Sequence, residues 1–319
     1  MYAKGEGIVL NEPSVIALNS QTQEVLAIGR DAWQMIGRTP GYIVAVRPLR
    51  QGAITDYDVT QRMIRQILQK VGVSKFNRPK VLICVPSAIT EVEKRAVTEA
   101  ARRAGAAQAQ LIDQPMAAAI GAGLPVHEPI GSMVVDIGGG TSETALISLG
   151  GTVALQAIRV GGFDFDAAIQ TYIRRVHGIA VGERTAEEIK IAVGSAAPTA
   201  DEVQAEVRGR EIMTGLPKTI VLHPGEVRQA IDELTSAICK SVVACLGQAP
   251  AELAQDVIRT GIHLVGGGSL LRGLDQRLAR VTGVPVNIVD APLEAVVLGA
   301  GRCIENYDVL KSLFMHTDR

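Results

Sequence analysis

Short β-rich runs alternate with longer runs at helical spacing along most of the chain. In the run 56–71, apolar residues recur every three or four positions behind Asp56, which predicts an amphipathic helix. The apolar run at 80–86 is short and predicts a buried strand. Strands that alternate with helices in this way are typical of an α/β fold.

The remaining pattern predicts further elements of both kinds. Thr90 and Glu93 form a capping box at the start of one helix, and Gly105 ends it. Further helices are predicted at 115–123, 164–177, 185–193, 224–247, from about 269 to 283 and at 292–305. Strands are predicted within 7–28, 109–113, 132–149, 152–160, 201–222, 262–265 and 285–289.

The first triple glycine lies in a turn between two predicted strands. Asp136 ends the first strand, and the turn contains Gly138, Gly139, Gly140, Thr141 and Ser142. Glycines let backbone N–H groups converge on an anion, the two hydroxyls add donors, and Asp136 is placed to hold Mg²⁺ through water. The pattern predicts a phosphate clamp in a β-hairpin rather than a Walker loop, because no Gly-Lys-Ser/Thr ending follows. A plain glycine hairpin is the alternative.

A second triple glycine, Gly266, Gly267 and Gly268, follows the predicted strand at 262–265. The helix after it is predicted to start near Ser269. Such a junction offers free N–H groups and the positive end of a helix, which suits a ribose, an adenine plane or an α-phosphate. Any tight turn can use glycine, so this motif is informative only beside the first. Together they predict a nucleotide held between two lobes.

A third candidate element is the helix that Thr185 is predicted to cap. Glu187 and Lys190 lie three residues apart on one of its faces. Glu187 is suited to accept hydrogen bonds from ribose hydroxyls, and the stem of Lys190 is suited to lie beside a base. An ordinary surface ion pair is the alternative, and without the glycine motifs it is the better interpretation.

Composition excludes several classes of protein. The 319 residues include 32 Lys and Arg against 33 Asp and Glu, and this balance gives no support to general nucleic-acid binding. The hydrophobic content of 47% supports a sizeable core, yet no apolar run reaches the ~18–20 residues of a membrane span. The four cysteines form no CxxC pair and the five histidines show no ligand spacing. A disulfide framework or zinc site is therefore not expected, and the cytosol is the default compartment.

Two segments of the chain repeat one pattern. Asp113-Gln114-Pro115 leads into a helix with Gly-Ala-Gly at 121–123, and Asp290-Ala291-Pro292 leads into one with Gly-Ala-Gly at 299–301. Helices of small residues can pack closely, so the repeat predicts a duplicated two-lobed fold whose two helices face each other. Chance similarity is the alternative, because the spacing differs by one residue.

Long motifs in a characteristic order carry a family resemblance. They are GIVLNEPSVIAL, RPLRQGAITDYDV, QPMAAAIGAGL, VVDIGGGTSETALISLG, GERTAEEIKI, LVGGGSLLRGLDQRL and PLEAVVLGAG. They extend over essentially the whole chain, which resembles the MreB/Mbl family of bacterial actin homologues. The resemblance implies an α/β, actin-like, two-lobed ATPase fold, duplicated and ribonuclease H-like, with ATP and Mg²⁺ in the cleft.

The resemblance also implies how the chain is divided. It places the first lobe at 1–127, with a small subdomain at about 14–55, and the second lobe at 128–296, with a small subdomain at about 165–228. A C-terminal helical region at 297–319 then returns to the first lobe. The second phosphate motif, the adenosine motif and the two connecting helices are expected at 134–147, 262–274, 114–123 and 292–301.

The function implied by the resemblance is that of a weak ATPase that polymerises into membrane-associated filaments. Such filaments organise cell-wall synthesis and cell shape from the cytoplasm, at the inner face of the cell membrane. The expected partners are further copies of the chain, the cell-wall elongation machinery, membrane proteins and an anionic membrane surface, but not nucleic acid. A degenerate structural paralogue with little or no ATP hydrolysis is the main alternative, and a kinase on the same superfold is a weaker one.

Two departures from the family pattern bear on catalysis. Where the family has a catalytic Glu, this chain has Gln114, with Asp113 beside it. An amide orients water but does not accept its proton, so we expect slower ATP hydrolysis than in a Glu-bearing relative, with Asp113 as a partial substitute. The family's first phosphate hairpin, Asp-x-Gly-Thr, is missing ahead of Met1. A misplaced start is the preferred interpretation, and a truly shortened paralogue is the alternative.

The loop at 73–78 matches the family's membrane-facing loop in the first lobe. Phe76 supplies one aromatic side chain to it. Lys75 and Arg78 are suited to anionic lipid, at about 1 kcal/mol per basic residue near the surface. A solvated loop with one packed phenylalanine is the equal alternative.

Overall fold

The chain folds into two units. The computed structural model describes residues 1–50, 53–54, 56–73, 77–200 and 202–315. Unit 1 comprises Met1–Leu124 and Glu294–Arg319, and unit 2 comprises Pro125–Leu293. Strands and helices are numbered below in chain order.

Unit 1 carries nine short strands and six α-helices among its described residues. They are β1 (Tyr2–Ala3), β2 (Gly7–Ile8), β3 (Ile16–Asn19), β4 (Val25–Ile28), α1 (Arg30–Met35), β5 (Ile43–Val46), β6 (Leu49–Arg50), β7 (Ala53–Ile54), α2 (Tyr57–Lys70), β8 (Lys80–Val85), α3 (Glu91–Ala104), β9 (Gln108–Asp113), α4 (Gln114–Gly121), α10 (Ala295–Glu305) and α11 (Tyr307–Leu310). β3 pairs antiparallel with β4 and β5, and β8 pairs parallel with β9.

The amphipathic helix predicted at 56–71 is α2. The Asp56 carboxylate accepts a hydrogen bond of 3.0 Å from the N–H of Val59, which caps the helix. Val59 and Met63 then share one buried cluster with Ile16 and Leu18 of β3. The apolar stripe of the helix therefore covers one face of the β4-β3-β5 sheet.

The two Ala/Gly helices face each other within unit 1, as the internal repeat predicts. A Cβ on Gly121 of α4 would lie 1.8 Å from the carbonyl oxygen of Ala295. A Cβ on Gly299 of α10 would lie 1.7 Å from the carbonyl oxygen of Ala117. Because real Cβ atoms do not approach an oxygen so closely, these glycines allow the two helix backbones to touch.

Unit 2 carries eight strands and five α-helices among its described residues. They are β10 (Ser132–Ile137), β11 (Ser142–Ser148), β12 (Gly151–Ile158), α5 (Gly162–His177), β13 (Ile179–Ala180), α6 (Glu183–Val193), β14 (Ala205–Glu211), β15 (Pro217–Leu222), α7 (Pro224–Leu246), α8 (Ala251–Thr260), β16 (Ile262–Val265), α9 (Leu274–Thr282) and β17 (Val286–Ile288).

The main sheet of unit 2 has the strand order β12-β11-β10-β16-β17. β10 pairs antiparallel with β11 and parallel with β16. Every residue of β10 and β11 is buried, as expected for strands covered on both faces. The core contains Phe165 and Ile169 of α5, Ile231 and Ile238 of α7, and Leu278 of α9. A second sheet has the order β13-β14-β15.

Some details differ from the sequence prediction. The pattern does not predict α1 or α8. Gly182, not Thr185, is the N-cap residue of α6, so Thr185 lies inside the first turn. No α-helix starts near Ser269; Gly267–Leu270 forms a 3-10 turn and α9 begins only at Leu274. In the described part of the chain, no helix combines the length and apolar character needed to cross a membrane.

Candidate functional site

One cavity of unit 2 brings together parts of the three candidate motifs. Its volume is about 400 Å³. Glycine backbone, a carboxylate and cations line it together with apolar side chains, which is the mixture expected of a ligand site. The lining residues are Gly138, Gly139, Gly162, Phe163, Phe165, Glu187, Lys190, Ile191, Gly194, Gly267, Gly268, Leu270, Leu271, Arg272 and Leu293.

The loop of the first triple glycine is tied to the first turn of α5. The N–H of Gly138 donates to the carbonyl of Thr141 at 2.9 Å, which closes the turn between β10 and β11. The carbonyl of Gly138 accepts the N–H of Gly162 at 3.0 Å, and the carbonyl of Gly139 accepts the N–H of Phe163 at 2.8 Å. Both loop carbonyls therefore point towards α5.

This arrangement fixes where the loop N–H groups point. In a trans peptide the C=O and the following N–H point in opposite directions. The N–H groups of Gly139 and Gly140 consequently point away from α5. Within the described residues, no hydrogen bond engages the N–H groups of Gly139, Gly140 or Thr141. Successive N–H groups of this kind form a concave site for an anion.

Glycine is required where the loop and α5 meet. A Cβ on Gly161 would lie 2.7 Å from the carbonyl oxygens of Gly138 and Gly139. A Cβ on Gly139 would lie 2.8 Å from the ring of Phe163. The side chain of Asp164 accepts the N–H of Gly161 at 2.8 Å and holds this turn in place.

Asp136 lies at the end of β10, beneath the second glycine motif. It is buried, and it lies opposite Glu143 in the β10–β11 register. A Cβ on Gly266, whose φ is +80°, would lie 2.5 Å from Oδ1 of Asp136. Burial raises the pKa of Asp136 to about 6. A nearby cation would favour the charged form of this carboxylate, so Asp136 fits the chemistry of a Mg²⁺ ligand.

The second triple glycine makes a tight turn after β16. The hydroxyl of Ser269 donates to the carbonyl of Gly266 at 2.6 Å, and the N–H of Gly266 donates to the carbonyl of Pro292 at 2.8 Å. A Cβ on Gly268 would lie 2.2 Å from Cγ2 of Ile137. Gly267 and Gly268 thus form a backbone wall of the cavity. The helix-end contribution expected at this junction is not present, because the glycines enter a 3-10 turn instead of an α-helix.

Glu187 and Lys190 project from α6 and line the same cavity. The ammonium of Lys190 lies 2.8 Å from Oδ1 of Asp166 and donates to the carbonyl of Gly162 at 3.0 Å. The Lys190 side chain is only 17% exposed and that of Asp166 only 7%. The pair is therefore a buried link between α6 and α5 and not a surface ion pair.

The hydroxyl-bearing residues of the first motif lie at the edge of the site. The hydroxyl of Ser142 donates to the carbonyl of Val160 at 2.7 Å, which joins β11 to the strand end before α5. Gly140, Thr141, Ser142, Asp136 and Gly266 are not among the residues that line the cavity. Their roles in nucleotide binding stay predictions. No group of three or more His, Cys, Asp or Glu suited to a metal occurs in the described ranges.

Asp113 and Gln114 belong to unit 1, where β9 passes into α4. Asp113 is the N-cap residue of α4, and Gln114 is its first residue. Burial raises the pKa of Asp113, while Lys94 and a hydrogen bond with Ser87 oppose that rise. Their catalytic roles stay predictions.

The loop predicted to face the membrane is described only in part. Lys75 and Phe76 lie outside the described residues. Arg78 donates to the carbonyl of Ala106 at 3.3 Å, so its guanidinium makes a hydrogen bond within unit 1.

The sequence-based prediction assigns no role in the site to the residues that organise the loop. Gly161, Gly162 and Phe163 supply the close approach and the two donors, and Asp166 holds Lys190. The signal available in the sequence is the Gly161-Gly162 pair directly after a strand, since adjacent glycines often mark a close backbone approach.

The hairpin loop after β10 and the glycine turn after β16 lie at the ends of adjacent strands, and both line one cavity with α6. This arrangement is that of an actin-like α/β fold. The family model described as MreB/Mbl protein matches residues 1–312, and the chain belongs to that family. Cell shape-determining protein MreB of Escherichia coli K12 is 48% identical over 315 residues, or 97% of this chain and 91% of that protein. Cell shape-determining protein Mbl of Bacillus subtilis 168 is 44% identical over 311 residues, or 97% and 93%.

Solved structures show the same fold. MreB5 of Spiroplasma citri bound to ADP has a TM-score of 0.91 and 35% identity, and covers 98% of this chain and 94% of its own. The AMPPNP-bound form of MreB5 has a TM-score of 0.91 and 34% identity, with coverage of 97% and 93%. A MamK double helical filament has a TM-score of 0.79 and 18% identity, with coverage of 94% of each chain, and so supports the fold alone.

Proposed function

We propose that the protein is an ATP-binding filament subunit that takes part in determining cell shape. The single observation that carries the proposal is the cavity of unit 2, which joins an anion-binding loop to Glu187 and the glycine wall. MreB5, the 35% identical relative, is bound to ADP in its solved structure, which supports the nucleotide. The MreB and Mbl relatives named for determining cell shape support the cytoskeletal role.

Each wall of the cavity has a role in this proposal. The N–H groups of Gly139 and Gly140 donate to phosphate oxygens, which suits acceptors that carry negative charge. Glu187 accepts hydrogen bonds from ribose hydroxyls, and Gly267 and Gly268 approach the nucleoside closely because they have no Cβ. Asp136 would hold Mg²⁺ through water, and the bound ion would neutralise phosphate charge.

ATP hydrolysis is proposed to be slow. Gln114 orients the attacking water but does not take up its proton, because a carboxamide is not a base. The nucleotide therefore acts mainly as a ligand that favours assembly, and its hydrolysis follows slowly.

Nucleotide binding is tested with a fluorescent ATP analogue. Glu187→Ala removes the acceptor from the cavity wall, and loss of a hydrogen bond of this kind weakens binding roughly tenfold. Glu188→Ala is the matched control, because Glu188 is the neighbouring residue of α6, is exposed and pairs with Arg184 at 2.9 Å. Equal affinities of both variants and the wild type would contradict the assigned site.

Self-association is tested by sedimentation and electron microscopy with ATP, with ADP and without nucleotide. We expect filaments that pellet with ATP and Mg²⁺. Filaments that form equally well without nucleotide would favour the structural paralogue with little or no ATP turnover.

Membrane attachment through the loop at 73–78 forms part of the proposal. Phe76→Ser is expected to reduce pelleting with vesicles that contain anionic lipid, because the apolar anchor is lost. Unchanged pelleting would remove this loop from the proposed attachment.

A further inference from the structure

The buried pair formed by Asp166 and Lys190 is connected to the phosphate loop by a continuous series of hydrogen bonds. The Lys190 ammonium donates to the carbonyl of Gly162 at 3.0 Å. That carbonyl shares its peptide group with the N–H of Phe163, which donates to the carbonyl of Gly139 at 2.8 Å. The carbonyl of Gly139 in turn shares its peptide group with the N–H of Gly140. Two peptide groups thus lie in line between a positive charge and the anion-binding side of the loop.

Peptide groups in such a series polarise one another. A charge at the carbonyl end of a peptide makes its N–H a stronger donor, and the effect passes along hydrogen-bonded chains in a low-dielectric environment. Lys190 is largely buried and Gly162 is buried, whereas Phe163 and Gly139 are exposed in the cavity wall. Polarisation is therefore strongest where the Lys190 ammonium meets the Gly162 carbonyl, and it weakens towards the loop.

Asp166 determines where the ammonium lies. Its Oδ1 is 2.8 Å from Nζ of Lys190, and Asp166 is 5% exposed. A Cβ on Gly162 would lie 3.3 Å from the same Nζ, so the ammonium fits closely over this glycine. The carboxylate holds the ammonium by charge attraction, and an N–H of the ammonium donates to the Gly162 carbonyl.

We infer that Asp166 and Lys190 are positioning residues for the phosphates, acting through the Gly162–Phe163 and Gly139–Gly140 peptide groups. This inference rests on the proposed function, and it adds a role of the Lys190 ammonium towards the phosphate end of the nucleotide to the predicted place of the Lys190 stem beside the base. The expected signature is a loss of affinity that depends on the phosphates and not on the nucleoside.

The experiment compares ATP with adenosine. Lys190→Met alone would leave Asp166 buried and without its partner, so the principal variant is Asp166→Asn with Lys190→Met, which removes both charges and keeps both shapes. The matched control is Glu211→Gln with Lys218→Met, which removes an exposed pair 2.6 Å apart on β14 and β15. Thermal unfolding without nucleotide is measured for all proteins.

We expect the principal variant to bind ATP about tenfold more weakly, equivalent to about 1.4 kcal/mol. Adenosine affinity is expected to stay within about twofold of wild type, because the stem beside the nucleoside is preserved. The control pair is expected to bind both ligands as the wild type does. Equal losses for ATP and adenosine, with or without a fall in Tm, would overturn the inference.

A spectroscopic measurement distinguishes polarisation from a merely structural role. In amide proton spectra of the nucleotide-free protein, removal of the Lys190 charge is expected to shift the Phe163 and Gly140 signals upfield. The Gly138 amide, which donates to Thr141 outside the series, is expected to keep its position. Unchanged Phe163 and Gly140 signals would overturn the inference while leaving nucleotide binding intact, whereas failure of the wild-type protein to bind ATP would overturn the proposed function itself.

Discussion

A methyl group at Gly161 tests whether the close approach of α5 organises the phosphate loop. The φ of Gly161 is −157°, a value that alanine can also adopt, so Gly161→Ala introduces no backbone strain of its own. The new Cβ would lie 2.7 Å from the carbonyl oxygens of Gly138 and Gly139. Both contacts are with backbone, which cannot swing aside as a flexible side chain can.

The loop must therefore move away from α5. Overpacking of this kind costs about 1–3 kcal/mol, and Tm falls by roughly 2–4 °C per kcal/mol in a unit of this size. The movement also breaks the hydrogen bonds at 3.0 and 2.8 Å that orient the loop. ATP affinity is consequently expected to fall by at least tenfold, since two N–H groups lose their orientation.

The assay measures Tm without nucleotide and ATP affinity by fluorescence. Gly225→Ala is the control, because Gly225 lies in the first turn of α7 with only the tip of Arg228 nearby, at 3.7 Å. Alanine is a better helix former there and is expected to leave Tm unchanged or higher. A Gly161→Ala protein with wild-type Tm and wild-type ATP affinity would refute the reasoning.

Three further changes test other parts of the molecule. Gln114→Glu is expected to raise the rate of phosphate release under polymerising conditions, because a carboxylate accepts the proton of the attacking water; an unchanged rate would count against the role of Gln114. Gly299→Ala places a Cβ 1.7 Å from the Ala117 carbonyl oxygen. In urea denaturation we therefore expect the free energy of unfolding to fall by about 1–3 kcal/mol. A wild-type midpoint would disprove the close helix contact. Burial favours a raised pKa for Glu226, but hydrogen bonds from the His223 N–H and from His177 outweigh it and lower the pKa. The resulting stabilisation is present above the ordinary pKa of 4.5 and is lost as the pH falls through the lower, folded-state pKa. Glu226→Gln should therefore reduce Tm at pH 7 and have little effect near pH 3, and a pH-independent difference would exclude this linkage.

Local patterns in the sequence predict the elements well, because their causes are local. The Thr90 capping box is confirmed, with the Thr90 hydroxyl accepting the N–H of Glu93 at 3.2 Å. The strand–glycine–strand hairpin at Asp136 is confirmed in the β10–β11 pairing. The capping box and the hairpin each depend on residues within a few positions of one another. A short segment of sequence is therefore enough to predict either of them.

The arrangement of the candidate site is less accessible from the sequence. Hydrogen bonds between the loop and α5 involve backbone groups, which every residue has. No particular residue type in the sequence therefore predicts them. The 3-10 turn after Gly266 depends on the Ser269 hydroxyl, which favours a local turn over a continued helix. Lys190 lines the cavity, but its pairing with Asp166 joins two helices through tertiary packing that periodicity does not encode.

The adjacency of β10 and β16 has a consequence for how the protein folds. The two glycine motifs are far apart in the chain, yet Asp136 and Val265 are register partners in that parallel pair. Parallel pairing across a long intervening segment carries a loop-closure cost before any contact compensates for it. Helices such as α7 can form earlier, because their hydrogen bonds are local. In refolding experiments we therefore expect the helical signal to recover first and nucleotide affinity to appear as a later, slower phase.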